Sequence, residues 1–249
     1  MMAPSHAATG LLTGVLATAA LSPVMAVGPL ELGAGAVIGA GAALLPDIDH
    51  PGSTATRSQG PVTWLLSAGA RRLSAAVYRR TRTRADTAAD GEHRYLWHTP
   101  VAAVVTGGLV GLGGALSVWV LAAVLWFTIG LAVRGLAQAL PRGRGRAQLM
   151  SWPVVAITAA AATALLIWAG ASPGPYAGAV LALGMVVHSL GDALTRTAVP
   201  LAWPVPVGGR RWAMVGVPHR LRFSTGSWPE HVIRWGCIAG APLAAFALV

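Results

Sequence analysis

Long apolar stretches recur from one end of this chain to the other, and they constrain its fold more than any other feature. A stretch of about 20 apolar residues can cross a bilayer as a helix. Only 10% of the 249 residues are charged, whereas a soluble domain carries about 25%. The pattern predicts an all-α fold, a single membrane-embedded domain over residues 1–249 with about seven spans. We place these at 7–27, 30–46, 100–116, 118–139, 152–170, 176–195 and 232–249.

The second and third of these spans are shorter than a standard span. The second, LGAGAVIGAGAALLP, is rich in glycine and alanine, and small residues let helix backbones approach closely. The first ten residues, MMAPSHAATG, lack the positive charge that begins a signal peptide, so we expect no cleavage there. The single cysteine, Cys237, can form no intrachain disulfide.

The basic residues, all of them arginines, predict the orientation in the membrane. They concentrate in the connections 47–99, 140–151 and 196–231, which follow even-numbered spans, whereas the connections near 28, 117 and 172 have none. The positive-inside rule places the arginine-rich loops and the N-terminus in the cytoplasm, and the C-terminus outside. The net charge of +10 is explained by this rule, and we expect no nucleic-acid binding because no groove-reading motif accompanies the charge.

Within the cytoplasmic loop 47–99, residues 61–80 have the pattern of an amphipathic helix rather than a span. Trp64, Leu65, Leu73, Ala76 and Val77 can share one side, with arginines grouped elsewhere. Such a helix lies on an anionic leaflet or covers a polar site. The sequence leaves both interpretations open.

The histidines and acidic residues converge on one side of this topology. Apart from Glu31 and the acids of the linker 81–92, they map to the cytoplasmic ends of the spans. They are His6, Asp47, Asp49, His50, His93, His98, His188, Asp192, His219, Glu230 and His231. Polar residues that served only as loop surface would be scattered over both sides.

The sixth span contains the motif HSLGDALT, in which His188 and Asp192 are four residues apart. They therefore share one helix face, with Thr195 on the same face. A histidine and a carboxylate at this spacing can bind one metal ion. The alternative is a hydrogen-bonded pair that ties helices together.

The second span ends in LLPDIDHPGS. Asp47 and Asp49 alternate around Ile48 in a turn bounded by prolines, and two such carboxylates can hold one or two cations. His50 can bind metal or orient an aspartate. Alternatively, Asp47 only caps the turn.

A third motif, HRYLWHTP, precedes the third span. Thr99 and Pro100 are favourable first residues of a helix, which puts His98 just outside the helix start. His93 flanks the same turn, and Arg94 is available for an anionic group. His6, alone near the first span, is by itself more typical of a surface histidine.

Taken together, these motifs and F-x-T-G-S-x-x-E near the end resemble the LexA-regulated, inner-membrane-associated metal-dependent hydrolase family, the YdjM-like group. The resemblance covers His6 to Glu230. It departs from the family pattern at Tyr95, Trp97 and Ala198, which affects the expected substrate more than metal binding. A fainter likeness links the metal motifs to zinc-dependent phospholipase C and P1-type nucleases. The polar site that the resemblance implies comprises His6, Asp47, Asp49, His50, His93, Arg94, His98, His188, Asp192, Thr195 and Glu230.

We therefore expect a hydrolase at the cytoplasmic face of a bacterial inner membrane, which cleaves a phosphoester or another ester of a lipid-accessible small molecule. The expected cofactor is zinc or manganese, as one or two ions. We expect the metal ligands to be His6, Asp47, Asp49, His98, His188 and Asp192, with His50 and Thr195 orienting them. His93 and Glu230 are candidates for proton transfer, and Arg94 for binding an anion.

Two other functions fit parts of the pattern. A transporter would need polar residues through the bilayer midplane, but the histidines and acids stop at one surface. A non-catalytic membrane protein could use the same polar cluster for metal binding alone or to hold its helices together.

Overall fold

The computed structural model describes residues 1–171 and 173–248. These ranges form nine α-helices and contain no strand beyond isolated bridges. The predicted all-α membrane-type bundle is confirmed. The helices are α1 Ala3–Ala19, α2 Pro29–Ala42, α3 Pro61–Thr81, α4 Pro100–Leu116, α5 Val118–Ala137, α6 Arg144–Leu149, α7 Trp152–Trp168, α8 Gly174–Ala193 and α9 Trp228–Ala247. Short 3₁₀ turns occur at Pro46–Asp49, Leu96–His98 and His219–Leu221.

Prolines begin most of the helices, as the local sequence predicts. Helix α4 has the predicted bounds, and the Thr99 hydroxyl oxygen accepts a hydrogen bond from the Ala102 amide at 3.1 Å. The predicted first span, 7–27, is displaced, because α1 begins at Ala3 with Pro4 in its first turn and ends at Ala19. The last residue of the predicted span 232–249 lies outside the described residues.

Seven of the helices overlap the predicted spans, but they differ in length. Residues 29–49, 118–137 and 176–193 are long and apolar enough to cross a membrane, whereas α4 and α7 are apolar helices of 17 residues each. Large apolar side chains face outward on the bundle, such as Leu109, Ile157 and Phe246. An exposed apolar surface of this kind is solvated by lipid rather than water.

Glycines allow the helix pairs at the centre of the bundle to pack closely. A Cβ atom added at Gly39 of α2 would lie 2.3 Å from the carbonyl oxygen of Gly10 in α1. One added at Gly178 of α8 would lie 2.2 Å from the carbonyl oxygen of Gly107 in α4. Both distances are far below van der Waals contact, so α1–α2 and α4–α8 pack backbone to backbone, in the way that small residues permit.

Helix α3 lies outside this bundle and is amphipathic in an unusual sense. Apart from Tyr78, its buried residues are small, and several are polar. The Thr56 hydroxyl donates a hydrogen bond to the Ser67 hydroxyl at 3.0 Å. Its apolar residues Trp64, Leu65 and Leu73 are exposed. The helix thus covers the loops before and after it while it presents an apolar face outward.

Candidate metal centre

The polar cluster lies at one end of the bundle, where four separate segments meet. Helix α8 supplies His188 and Asp192 from its last two turns, and α1 supplies His6 from its first turns. The 3₁₀ turn after α2 presents Asp47, and the turn before α4 presents His98. Residues from four distant parts of the sequence are therefore brought to one place by helix packing.

Four donor atoms form a small cage. The Nε2 atoms of His98 and His188 are 3.3 Å apart, and each lies 3.6 Å from Asp47 Oδ1. Each also lies 3.9 Å from Asp192 Oδ2. Tetrahedral zinc with bonds of 2.0–2.1 Å requires donor–donor distances of about 3.3–3.4 Å. The cage is therefore close to the size of such an ion and slightly larger.

The hydrogen-bond partners of the two imidazoles leave their Nε2 atoms facing the cage. His188 Nδ1 donates to the carbonyl oxygen of Ala43 at 2.7 Å, so its proton is on that side of the ring. His98 Nδ1 is buried, has no hydrogen-bond partner in the part of the chain that the structure describes, and lies 3.7 Å from Asp49 Oδ2. If the neutral His98 ring carries its proton on Nδ1, toward Asp49, the lone pair of its Nε2 faces the lone pair of His188 Nε2. Two facing lone pairs and two carboxylates are a donor set that fits a divalent cation.

Asp49 is turned away from the cage toward the neighbouring loop. Its Oδ1 accepts from His93 Nδ1 at 2.6 Å, and its Oδ2 accepts from the Arg94 backbone amide at 3.2 Å. Arg94 has a positive φ of 65°, a conformation uncommon outside glycine, and the amide contact shows what holds it. Asp49 is fully buried and connects His93 to His98.

His6 and Asp192 form the opposite wall. The imidazole of His6 stacks on that of His188 with ring centroids 3.8 Å apart, and its Nε2 lies 3.2 Å from Asp192 Oδ1. The same oxygen contacts the amino nitrogen of Met1. His6 is fully buried, which excludes the ordinary surface histidine that its isolated position in the sequence would suggest.

Among the described residues, three overlapping groups of donors are close enough to hold an ion. They are Asp47 with His98 and His188, His6 with His188 and Asp192, and Asp47 with Asp49 and His93. Asp47 belongs to two of them, so it is placed to bridge two ions. Within the described ranges the Asp47 carboxylate interacts with the His98 and His188 side chains rather than with a backbone amide, which argues against a role as a turn cap.

The carboxylates around His98 set its charge in the absence of metal. Burial alone would lower the pKa of this histidine, but the negative charges of Asp49, Asp47 and Asp192 outweigh burial and raise the pKa above its usual range. A proton held between the carboxylates takes the place that a cation would otherwise occupy.

A polar pocket of about 630 Å³ opens above the cage. Asp47, His93 and Arg94 line its floor. Arginines from outside the predicted site complete the wall, namely Arg142, Arg146 and Arg234. Arg94 Nη2 lies 3.6 Å from Asp192 Oδ2, so this guanidinium spans the pocket and the cage.

The remaining predicted residues lie at the margin. His50 is exposed, accepts a hydrogen bond from the Gly52 amide at 3.1 Å and stands beside His93. Thr195 donates to the backbone oxygen of Asp192 at 2.8 Å rather than to its carboxylate. The carboxylate of Glu230 accepts from the backbone amides of Gly226 and Met2. It therefore ties the start of α9 to the start of α1.

The sequence analysis did not identify two kinds of group at this site, a backbone acceptor and the arginines of the pocket. The carbonyl oxygen of Ala43 orients His188, and a backbone acceptor has no sequence signal. Arg142 and Arg146 were counted only as topology signals, and Arg234 lies inside a predicted span. The one available hint was that a charged residue within a span is costly and usually functional.

A family model described as YdjM inner membrane protein matches residues 1–248. No curated protein and no solved structure matches the chain significantly.

Proposed function

The chain belongs to the YdjM inner membrane protein family, and we propose that it is a membrane-bound, metal-dependent hydrolase that cleaves a phosphoester or another ester of a lipid-accessible substrate. The observation that carries the proposal is the cage formed by Asp47, His98, His188 and Asp192 beneath an open pocket. A site that only tied helices together would need neither the pocket nor two imidazoles that face each other.

In this proposal, Asp47, His98 and His188 hold the ion, with Asp192 as the fourth donor. Zinc or manganese suits nitrogen and oxygen ligands without a thiolate. A bound divalent ion supplies Lewis acidity, which acidifies water and polarises the scissile bond. The third group, Asp47 with Asp49 and His93, would hold a second ion.

With a single ion, Asp49 and His93 act instead as a proton-transfer pair. Asp49 accepts the Nδ1 proton of His93 at 2.6 Å, which leaves His93 Nε2 as the basic atom. This atom accepts a hydrogen bond from Arg94 Nε at 3.4 Å, which the attacking water would replace. His93 is partly exposed and lines the pocket, so this atom can accept a proton from an attacking water and return it to the leaving group. Asp49 also lies against His98 Nδ1 and keeps the ring oriented, as carboxylates beside metal-binding histidines do.

An apolar groove supports a lipid-like substrate. It has a volume of about 690 Å³ and lies between α3, α4 and α5. Its wall includes Ile48, between the two aspartates, and Trp97, which precedes His98. The groove therefore reaches both turns that present the cage, and it suits an acyl chain whose ester lies in the polar pocket. The arginine distribution supports a cytoplasmic position for this end of the bundle.

The test is hydrolysis by the full chain in nanodiscs. We expect turnover of phosphate or carboxylate esters of lipids that depends on zinc or manganese and is abolished by chelator. His93→Gln should lower kcat by about 10²- to 10⁴-fold. His219→Gln, at an exposed position outside the site, is the matched control. Turnover that persists in chelator, or equal rates for both variants, would refute the proposal.

A further inference from the structure

We propose that Arg142, Arg146 and Arg234 form a phosphate-binding subsite, so that the substrate of the proposed hydrolase carries a phosphate group. This inference rests on the proposed function, which leaves open whether the ester contains phosphate. It concerns the pocket wall, which is separate from the metal cage.

The pocket collects guanidinium groups from three independent segments. Arg94 comes from the loop before α4, Arg142 and Arg146 from the connection between α5 and α7, and Arg234 from the second turn of α9. Among the described residues that line the pocket, one is acidic, namely Asp47. Arg94 is paired with Asp192, so the other three arginines around one carboxylate leave the pocket positive, and a bound metal ion would add to that charge.

One of these guanidinium groups is buried without enough partners. Arg234 is 7% exposed, and its Nε has no hydrogen-bond partner in the described chain. Its Nη2 contacts His231 Nδ1, a neutral acceptor or a further cation but not a carboxylate. Arg94 has Asp192 as a counter-ion and is partly exposed, but its Nη1 atom is buried and unpartnered in the described chain. Buried charge without a counter-ion is costly, so Arg234 indicates an anion that binds in the pocket.

The other two arginines are accessible and uncommitted. Within the described residues, the arginine–carboxylate pairs are Arg71 with Glu92 and Arg94 with Asp192. Arg146 lines the pocket, and its Nη1 donates to the carbonyl oxygen of Leu140 at 3.3 Å. Arg142 is exposed. Both can therefore close on a ligand.

The number and kind of donors favour phosphate over a carboxylate. A phosphomonoester carries about −1.5 to −2 charges at neutral pH and three acceptor oxygens. Each guanidinium can donate two parallel hydrogen bonds to such oxygens, so one phosphate can satisfy several arginines at once. A single carboxylate has two oxygens and one charge, which would leave most of this wall unpaired.

Arg144 provides a matched control for the test. It belongs to the same short helix as Arg146 and is exposed, but it does not line the pocket. Replacing it therefore changes the net charge of the same segment without changing the pocket. A general electrostatic attraction to this surface would be weakened equally by either substitution.

The experiment measures binding of glycerol 3-phosphate, and separately of phosphatidate, to the full chain in neutral nanodiscs, with metal and with chelator. The double variant R142Q/R146Q, and separately R234Q, should each weaken binding by about tenfold or more, with metal content unchanged. R144Q should bind as the unaltered chain does. Tighter binding of glycerol 3-phosphate than of phosphatidate would indicate a free phosphate ester, and the reverse would indicate a phosphate carried by a lipid.

The subsite is wrong if R144Q weakens binding as much as R142Q/R146Q, or if neither R142Q/R146Q nor R234Q weakens binding of either probe. The R142Q/R146Q variant keeps this test valid even if R234Q fails to fold, because its residues lie at the surface. Arginine-dependent binding that persists in chelator, without any hydrolysis, would support the subsite and refute only the hydrolase. Metal-dependent hydrolysis of uncharged esters at rates that these variants do not change would refute only the subsite.

Discussion

His98 and His188 face each other through their Nε2 atoms at 3.3 Å, although they are 90 positions apart in the sequence. The far side of His188 is bonded to the Ala43 carbonyl, and the far side of His98 faces Asp49. Both rings thus turn a nitrogen toward Asp47 and Asp192. The pair requires a proton or a metal ion between the two nitrogens. The predictions on stability and metal binding below depend on which of the two occupies this position.

The stability of the protein should depend on pH in opposite ways with and without metal. Asp47, Asp49 and Asp192 raise the pKa of His98 in the metal-free state despite burial beside His188. The stabilisation from this proton is complete below the pKa of an unfolded histidine, about 6.5, and is lost as the pH rises through the raised pKa. Metal replaces the proton, so its affinity should rise over the same range.

Thermal unfolding measured at about pH 6 and about pH 8.5 checks this. In chelator at the lower pH, the unaltered chain should have a higher Tm than a His98→Gln variant. This difference in Tm should shrink at the higher pH. In zinc, the metal-induced increase in Tm should be larger at the higher pH. The same pH trend with and without metal would contradict the assignment.

Asp49→Asn should weaken metal binding by about 10- to 100-fold rather than abolish it. The carboxylate holds His93 and faces His98 Nδ1 without belonging to the tight cage. Metal titration of the purified chain measures the effect. Complete loss of metal would show instead that Asp49 binds the ion directly, as the group with Asp47 and His93 allows.

The exposed apolar face of α3 predicts contact with lipid. With Cys237 replaced by serine, a spin label at Leu65→Cys should be accessible to oxygen dissolved in the bilayer. A label at Ala75→Cys, on the buried face, should be shielded. Changing Arg72, Arg79 and Arg80 to glutamate should weaken the attraction of α3 to the anionic leaflet by about 1 kcal/mol per arginine. The label at position 65 should then be less accessible to oxygen. Equal accessibility at both positions would place α3 away from the membrane.

The orientation in the membrane is tested by labelling with an impermeant maleimide on intact cells. In the same cysteine-free background, Ser117→Cys, in the short connection between α4 and α5, should react from outside. Ala89→Cys, in the arginine-rich loop, should react only after the membrane is permeabilised. The reverse pattern would put the site on the outer face.

The sequence predicted best where the signal was local. The start of α4 followed from Thr99 and Pro100, and the shared face of His188 and Asp192 followed from their spacing in one helix. Helix α1 was misplaced because its apolar stretch continues past Ala19, whereas Pro4 starts the helix early. Hydropathy alone does not distinguish a helix from the apolar turn that follows it.

The residues of the polar cluster could be predicted only in part. Those at the same ends of the spans could be grouped from the topology, whereas others are placed by tertiary packing. The convergence of His6, Asp47, His98 and Asp192 could be inferred from topology. The entry of Arg142 and Arg146 into the pocket could not, because it depends on how the connection after α5 folds back over α1. The difference between Asp47 and Asp49 is also tertiary. They are two residues apart, yet one faces the cage and the other faces His93.

The most direct test of the central claim is the metal content of the full chain, measured by elemental analysis after purification and mild metal loading. We predict one or two zinc or manganese ions per chain, lost in both Asp192→Ala and His98→Ala, reduced in affinity in His50→Ala and unchanged in His231→Ala. The variants should still insert into the membrane. A chain without bound metal after loading, or full occupancy in Asp192→Ala with the same Tm in zinc and in chelator, would contradict the account and leave the cage as a set of structural hydrogen bonds.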